Sequence, residues 1–117
     1  METFENLSIW QESRKVTRVI YQILKENKDF WFRDQIQRAS VSIMNNLAEW
    51  FERATIPEKI QLYRYAKWSA GEVRSMLYVG LDNWYFSQEF FDENFQKLTY
   101  ISVGIAKLIQ SLEKYKK

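Results

Sequence analysis

The chain has 117 residues, with 17 Lys or Arg against 15 Asp or Glu, a net charge of +2, and neither Cys nor His. That length fits one domain with a real core, and the missing residue types exclude thiol nucleophiles, disulfides, zinc-finger ligation and imidazole acid–base chemistry. No stretch reaches the roughly 18 apolar residues of a membrane span, and the N-terminus lacks a basic start followed by an apolar run, so a cytoplasmic protein without a membrane partner is expected. Three Gly and one Pro leave little turn punctuation, which calls for long elements and short links. Aromatic residues make up 17% of the chain, five Trp, seven Tyr and eight Phe, which suggests burial beyond one monomer core.

The first predicted helix starts near Ser8, where Ser8 and Gln11 are spaced as a capping box. Trp10, Val16, Val19, Ile20, Ile23 and Leu24 recur close to the helical period, and Glu12, Arg14, Lys15, Arg18 and Lys25 lie opposite. The pattern fades over 25–29. Phe30, Trp31 and Phe32 cannot all face one side, and read as a plug at a bundle end or partly as an interface. The second helix is predicted from about Arg33 to Arg53, with Asp34 in its first turn, where a carboxylate suits the dipole. One stripe on it is Ile36, Ala39, Ser40, Ile43, Leu47 and Trp50. A second is Val41, Met44, Ala48 and Phe51, with Gln35, Arg38, Ser42, Asn45, Glu49 and Arg53 between. Two apolar stripes need two partners, the core of the bundle and something else.

Thr55 and Glu58 form the next capping box, with Pro57 in a first turn that needs no amide donors. That helix is predicted to run to about Asp82. Tyr63, Ala66, Ala70, Val73 and Leu77 make its core stripe, and Tyr65, Trp68, Met76 and Val79 a second. Gly71 interrupts it at a cost of about 1 kcal/mol relative to Ala, as an allowance for close approach or a neutral accident. Residues 82–86 form the last link, and Ser87 is a plausible N-cap with Glu89 in the first turn. The last helix carries Phe91, Phe95, Leu98, Ile101 or Ser102, Ile105, Leu108, Leu112 and Tyr115, with Lys114, Lys116 and Lys117 as a C-terminal tail expected to fray. The expected fold is all-α, a single domain over 1–117 forming an antiparallel up-down-up-down four-helix bundle.

Three motifs carry a resemblance. Phe4, Leu7 and Trp10 fit F-x-x-L-x-x-W. Gln35, Arg38, Ala39, Ser42, Ile43, Asn46, Leu47, Ala48 and Glu49 fit Q-x-x-R-A-x-x-S-I-x-x-N-[IL]-A-E. Ala70-Gly71-Glu72-Val73 matches a small-residue-then-Glu step. On these the chain resembles the S23-type ribosomal proteins, first described from intervening sequences in bacterial large-subunit ribosomal RNA genes. The resemblance implies a four-helix bundle, similar to the accessory variability determinant of diversity-generating retroelements, and a ring-shaped homopentamer. The accessory determinant binds nucleic acid and a reverse transcriptase through a basic surface, which makes RNA or DNA, and a reverse transcriptase or other protein, the implied partners. The family usually follows A-E with Gly and a basic, hydroxyl-rich loop. Here Trp50 and Phe51 follow, so the helix is expected to continue and the loop is less basic. The family often has Pro where Met44 stands.

Arg38, Asn46, Glu49 and Glu72 are candidates for a polar network, since such groups are costly to bury unless they pair with one another. They could instead form a ligand pocket. Glu49 and Glu72 could serve an enzyme or a carboxylate metal site, although di-iron bundles add a His that this chain lacks. No catalytic residue, metal or cofactor is expected. Met44, Phe51, Tyr65, Trp68 and Met76 are expected at an oligomer interface, because a monomer exposing them together would carry a large apolar patch. Arg14, Lys15 and Arg18 on the first helix, with Arg64, Lys67 and Arg74 on the third, are the possible nucleic-acid contacts, against the reading that they belong to solvated faces balanced by Glu12, Glu58 and Glu72. The sequence thus points to a non-enzymatic homo-oligomeric scaffold or binding module.

Overall fold

A computed structural model describes residues 3–115. The described residues form four α-helices and no strand: α1 (Ser8–Ile23), α2 (Phe30–Glu49), α3 (Ile56–Asp82) and α4 (Gln88–Glu113). Two 3-10 turns, Phe4–Asn6 and Trp50–Glu52, precede α1 and follow α2. The helices pack as a bundle of 48 × 23 × 20 Å, in which α1 and α3 each lie against both α2 and α4. Lys114 and Tyr115 form a turn after α4, and the predicted tail at Lys116 and Lys117 lies outside the described residues.

Helix starts follow local side-chain chemistry. Thr55 Oγ1 accepts from the Glu58 amide at 3.2 Å and Ser87 Oγ accepts from the Phe90 amide at 3.0 Å, as their sequence spacing predicts. The other two starts differ from expectation. The α1 N-cap is Leu7, so no Ser8–Gln11 box forms. Gln11 Nε2 instead donates to the Glu5 carbonyl at 2.7 Å, and Ser8 Oγ bonds the Tyr100 hydroxyl of α4 at 3.0 Å. The reciprocal box sits one turn earlier, at Thr3 and Asn6. Helix α2 begins at Phe30 because Asp29 caps it, with Oδ1 accepting from the Phe32 amide at 3.2 Å. The aromatic run is therefore the first turn of a helix. Phe32 is buried, while Phe30 and Trp31 face water.

The far end of α2 also departs from expectation. The helix tightens into the 3-10 turn at Trp50 instead of running to Arg53. Trp50 packs its indole face to face on Tyr63, with ring centroids 5.2 Å apart, and the Lys59 ammonium lies 3.8 Å from the same ring. These contacts reward the turn in place of another α-helical residue.

The core stripes read from sequence are buried on α3 and, apart from the half-buried Trp50, on α2. Of the α1 and α4 stripes, Ile23 and Tyr115, near the helix ends, face water instead, and Trp10, Val19, Phe95, Leu108 and Leu112 are half-buried. Ile36, Ala39, Ser40, Ile43 and Leu47 of α2 meet Tyr63, Ala66, Ala70, Val73 and Leu77 of α3, with Val16 and Ile20 of α1 and Leu98, Ile101 and Ile105 of α4. Each fully buried large aliphatic contributes about 1.5–3 kcal/mol. Ser13 and Ser40 sit in this core at little cost, since each hydroxyl donates to a carbonyl of its own helix, Ile9 at 2.7 Å and Gln37 at 2.9 Å. Gly80 and Gly104, not Gly71, are the glycines that packing requires, the second because a Cβ there would lie 2.9 Å from Ile9 Cγ2. A Cβ at Gly80 would lie 2.2 Å from the Phe86 ring, whereas the nearest atom to one at Gly71 is Arg74 Nη2 at 3.9 Å. Without that Cβ, the chain after α3 folds back so that the Tyr85 amide reaches the Gly80 carbonyl at 2.8 Å. The turn is completed by Trp84 at φ +65°, in the left-handed region that costs an L-residue about 1–2 kcal/mol.

Candidate functional site

Three surfaces carry the sequence candidates. The first is the seam between α2 and α3. Ser42 is its node: Asn46 Nδ2 donates to the Ser42 carbonyl at 2.8 Å and to its hydroxyl at 3.1 Å, and Ser69 Oγ donates to the same hydroxyl at 2.9 Å. Asn46 thus has structural partners, and Ser69 is a member that the sequence did not single out. Arg38 and Glu72 are exposed. Glu49 is the carboxylate partner of Arg53, and this contact raises the guanidinium pKa above its already high value. Among the described residues no hydrogen bond or ion pair joins Arg38, Glu49 and Glu72 to one another. Arg38 and Glu49 are three helical turns apart on α2, about 16 Å, so they cannot meet inside one chain. Nor is there, among the described residues, a group of three acidic side chains placed to hold a metal ion.

The second surface is the outer face of α3. Tyr65, Trp68 and Val79 share this face at helical spacing and all are exposed, Trp68 by 62%. Tyr65 and Trp68 form an edge-to-face pair with centroids 5.6 Å apart. The other predicted interface residues divide. Met44 and Phe51 are half-buried, and Phe51 packs edge-on against Trp50. Met76 belongs to the core at 9% exposure, one turn from Val73 and beside Leu77. Its position on the α3 wheel is nearer the α2 contact than the outer face, a distinction that a two-stripe reading blurs.

The third surface is basic. Trp10, Gln11, Arg14, Lys15 and Arg18 line a groove on α1 together with Glu5. The Arg14 guanidinium lies 5.9 Å from the Trp10 ring. Lys15 is paired with Glu12 at 2.9 Å, but among the described residues neither Arg14 nor Arg18 has a carboxylate partner. The α3 set is different. Arg64 is paired with Glu113 at 3.1 Å, and Arg74 lies over Phe95 at 6.0 Å, beside an α4 groove lined by Glu89, Asp92 and Glu93. Lys67 is exposed. Of the α3 cations a carboxylate therefore compensates Arg64, while Arg14 and Arg18 of α1 have none among the described residues. Sequence reasoning missed Tyr21 as part of the α1 surface, although its spacing from Arg14 and Arg18 keeps all three on one helical face.

The sequence profile of the 23S rRNA-intervening sequence protein family matches residues 5–107. The chain belongs to that family. A crystal structure of a protein of unknown function from the S23 ribosomal protein family of Bacteroides thetaiotaomicron has a similar fold, with a TM-score of 0.80 at 23% identity, covering 86% of this chain and 97% of that one. No curated protein matches the chain. In this member of the 23S rRNA-intervening sequence family, the helix 2 motif is divided between roles. Ala39, Ile43 and Leu47 fill the core, Ser42 ties α2 to Ser69 of α3 with Asn46 supporting it from within α2, Arg38 is exposed and Glu49 is half-buried. Among the described residues, no helix is long and apolar enough to cross a membrane.

Proposed function

We propose that this chain is a non-enzymatic, self-associating bundle of one domain that works in the cytoplasm as a scaffold or binding module. Its helices alternate in direction, up-down-up-down. That topology is supported by the pairs Arg64–Glu113, Arg74–Phe95 and Tyr78–Phe91, in which position rises along α3 as it falls along α4. The Ser42–Ser69 bond supports the same reading for α2 and α3, because the few residues between the helices could not return the chain to the starting end.

The observation that carries self-association is the Tyr65–Trp68 pair standing in water on α3, with Val79 three turns beyond Trp68. Tyr and Trp are enriched where one protein surface buries another. The family resemblance implies five subunits. Light scattering or sedimentation should give a mass near five times the 14.3 kDa chain. A Tyr65→Glu, Trp68→Glu double variant should be monomeric with unchanged helical circular dichroism. A wild-type monomer at high concentration would overturn the assembly.

Nucleic acid is the partner class that the α1 groove fits best. Arg14 and Arg18 are cations without carboxylate partners among the described residues, beside an aromatic ring, and in a ring of subunits they recur once per subunit. Binding to RNA or single-stranded DNA should fall with salt. Arg14→Glu with Arg18→Glu should lose most affinity and lower the salt slope by roughly 1.4, at about 0.7 per phosphate contact. Reversal at Arg64, Lys67 and Arg74 should matter less. Equal loss from both sets would remove the preference for α1.

A further inference from the structure

The basic face of α1 leads somewhere. Arg14, Arg18 and Tyr21 follow one another at helical spacing along it, a run of about 10 Å by the α-helical rise, and Lys25 stands in the turn just beyond. All four are exposed, Tyr21 by 45%. The run ends where residues 24–29 turn the chain into α2, and Phe30 stands there 56% exposed. Phe30 is held in place. The Arg33 guanidinium lies 4.8 Å from its ring, and Arg33 Nη1 donates to the Asn27 carbonyl at 3.3 Å, which fixes both against the α1–α2 link. Asp29 adds a negative charge to this corner, its oxygens accepting from the Phe32 amide and from the Tyr85 hydroxyl. Lys25, Lys28 and Arg33 stand there against Glu26, Asp29 and Asp34, so the cationic charge of the track comes from Arg14 and Arg18 and this corner contributes its rings.

We propose that the nucleic acid carried by α1 is single-stranded, and that its unpaired bases stack on Tyr21 and on the Phe30–Arg33 pair. The inference rests on the reading of Arg14 and Arg18 above. Cations alone would hold a duplex and a single strand alike, since both present phosphates. Exposed rings at the end of a cationic track add something only a strand with free base faces can use. Stacking on an aromatic side chain is worth roughly 1–3 kcal/mol per base and tolerates any sequence, and a guanidinium plane adds to it.

The test is filter binding of three probes at low salt: an oligothymidylate about a dozen nucleotides long, an abasic strand of equal length, and a duplex. Wild type should hold the oligothymidylate roughly 10–100-fold more tightly than the abasic strand, the affinity that about 1.4–2.8 kcal/mol of stacking provides. Tyr21→Ala with Phe30→Ala should lower oligothymidylate affinity to the abasic level and leave abasic affinity and the salt slope unchanged. Tyr21→Phe with Phe30→Tyr should restore the difference, which separates stacking from a folding defect. Equal wild-type binding of oligothymidylate and abasic strands, or an alanine variant indistinguishable from wild type, would overturn the stacking inference and leave the α1 phosphate site standing. Wild type that binds none of the three would overturn the nucleic-acid reading itself.

Discussion

The two ends of the bundle treat the same kind of side chain in opposite ways. At the α2–α3 end, Trp50, Phe51 and Tyr63 spend their rings on one another and on Lys59, so firmly that the indole N–H of Trp50 is buried without a partner among the described residues. At the other end, Asp29 and Tyr85 clamp the two links together through a 2.6 Å hydrogen bond, and Phe32 and Phe86 pack beneath. Their chain neighbours Phe30, Trp31 and Trp84 are left in water, Trp84 by 92%. Aromatic content alone therefore says little about core size. Consecutive rings on a helix or turn point about 100° or more apart, so burying one of a run displays the next. One end closes on itself, and the other is a rigid base for rings that face outward.

This contrast can be broken within a single run of sequence. Phe32→Ala should destabilise by about 3–5 kcal/mol in urea or thermal unfolding, while Trp31→Ala, one residue away, should change stability by less than about 0.5 kcal/mol. Comparable losses would mean that the outward rings are structural after all. Next in size is Gly80→Ala. Its methyl meets the Phe86 ring, and the overpacking should cost about 1–3 kcal/mol. Gly71→Ala is the matched control, open to its surroundings, and should gain up to about 1 kcal/mol.

The clamp at the open end should appear in the pH dependence. The Tyr85 hydroxyl and, next, the Phe32 amide hold the Asp29 carboxyl below its ordinary value of 3.8, and the contact with Asp29 holds the Tyr85 phenol above 10.0. A depressed carboxyl contributes its stability above pH 3.8 and loses it as the pH falls through the lower folded value. A raised phenol contributes below pH 10.0 and loses it as the pH rises through the higher folded value. Asp29→Asn should therefore remove part of the acid limb of a stability profile, and Tyr85→Phe the alkaline limb. Unchanged limbs would place the clamp outside the energetics of this end. A gain similar to that at Gly71 is expected of Trp84→Asn, which relieves a left-handed backbone without losing a buried contact and should stabilise by roughly 1 kcal/mol.

Much of the fold was legible because periodicity is a property of the whole helix. The core stripes of α2 and α3 needed no knowledge of their partners, and Thr55 and Ser87 announced helix starts through local chemistry. What failed was chemistry that depends on a distant element. Ser8 has the spacing of a cap, but Tyr100 of α4 claims its hydroxyl. Asp29 lies three residues before Phe32 as an N-cap should, yet the aromatics that follow hid a helical first turn. Gly71 and Gly80 look alike in sequence, and only the returning Phe86 ring separates them. At the candidate site, Arg14 and Arg64 were equivalent cations until α4 supplied Glu113 to one of them. The division between open and compensated charge is tertiary, and no window on α1 or α3 contains it.

The distribution of indoles has a practical consequence. Trp31, Trp68 and Trp84 see solvent in a lone subunit, so the intrinsic emission of a monomer should be red-shifted before any denaturant is added and should shift little further as the bundle melts. The same spectrum becomes a sensitive reporter of company. A subunit seated on Trp68 should draw the emission toward the blue, and a ligand confined to the α1 face should leave that component where it was.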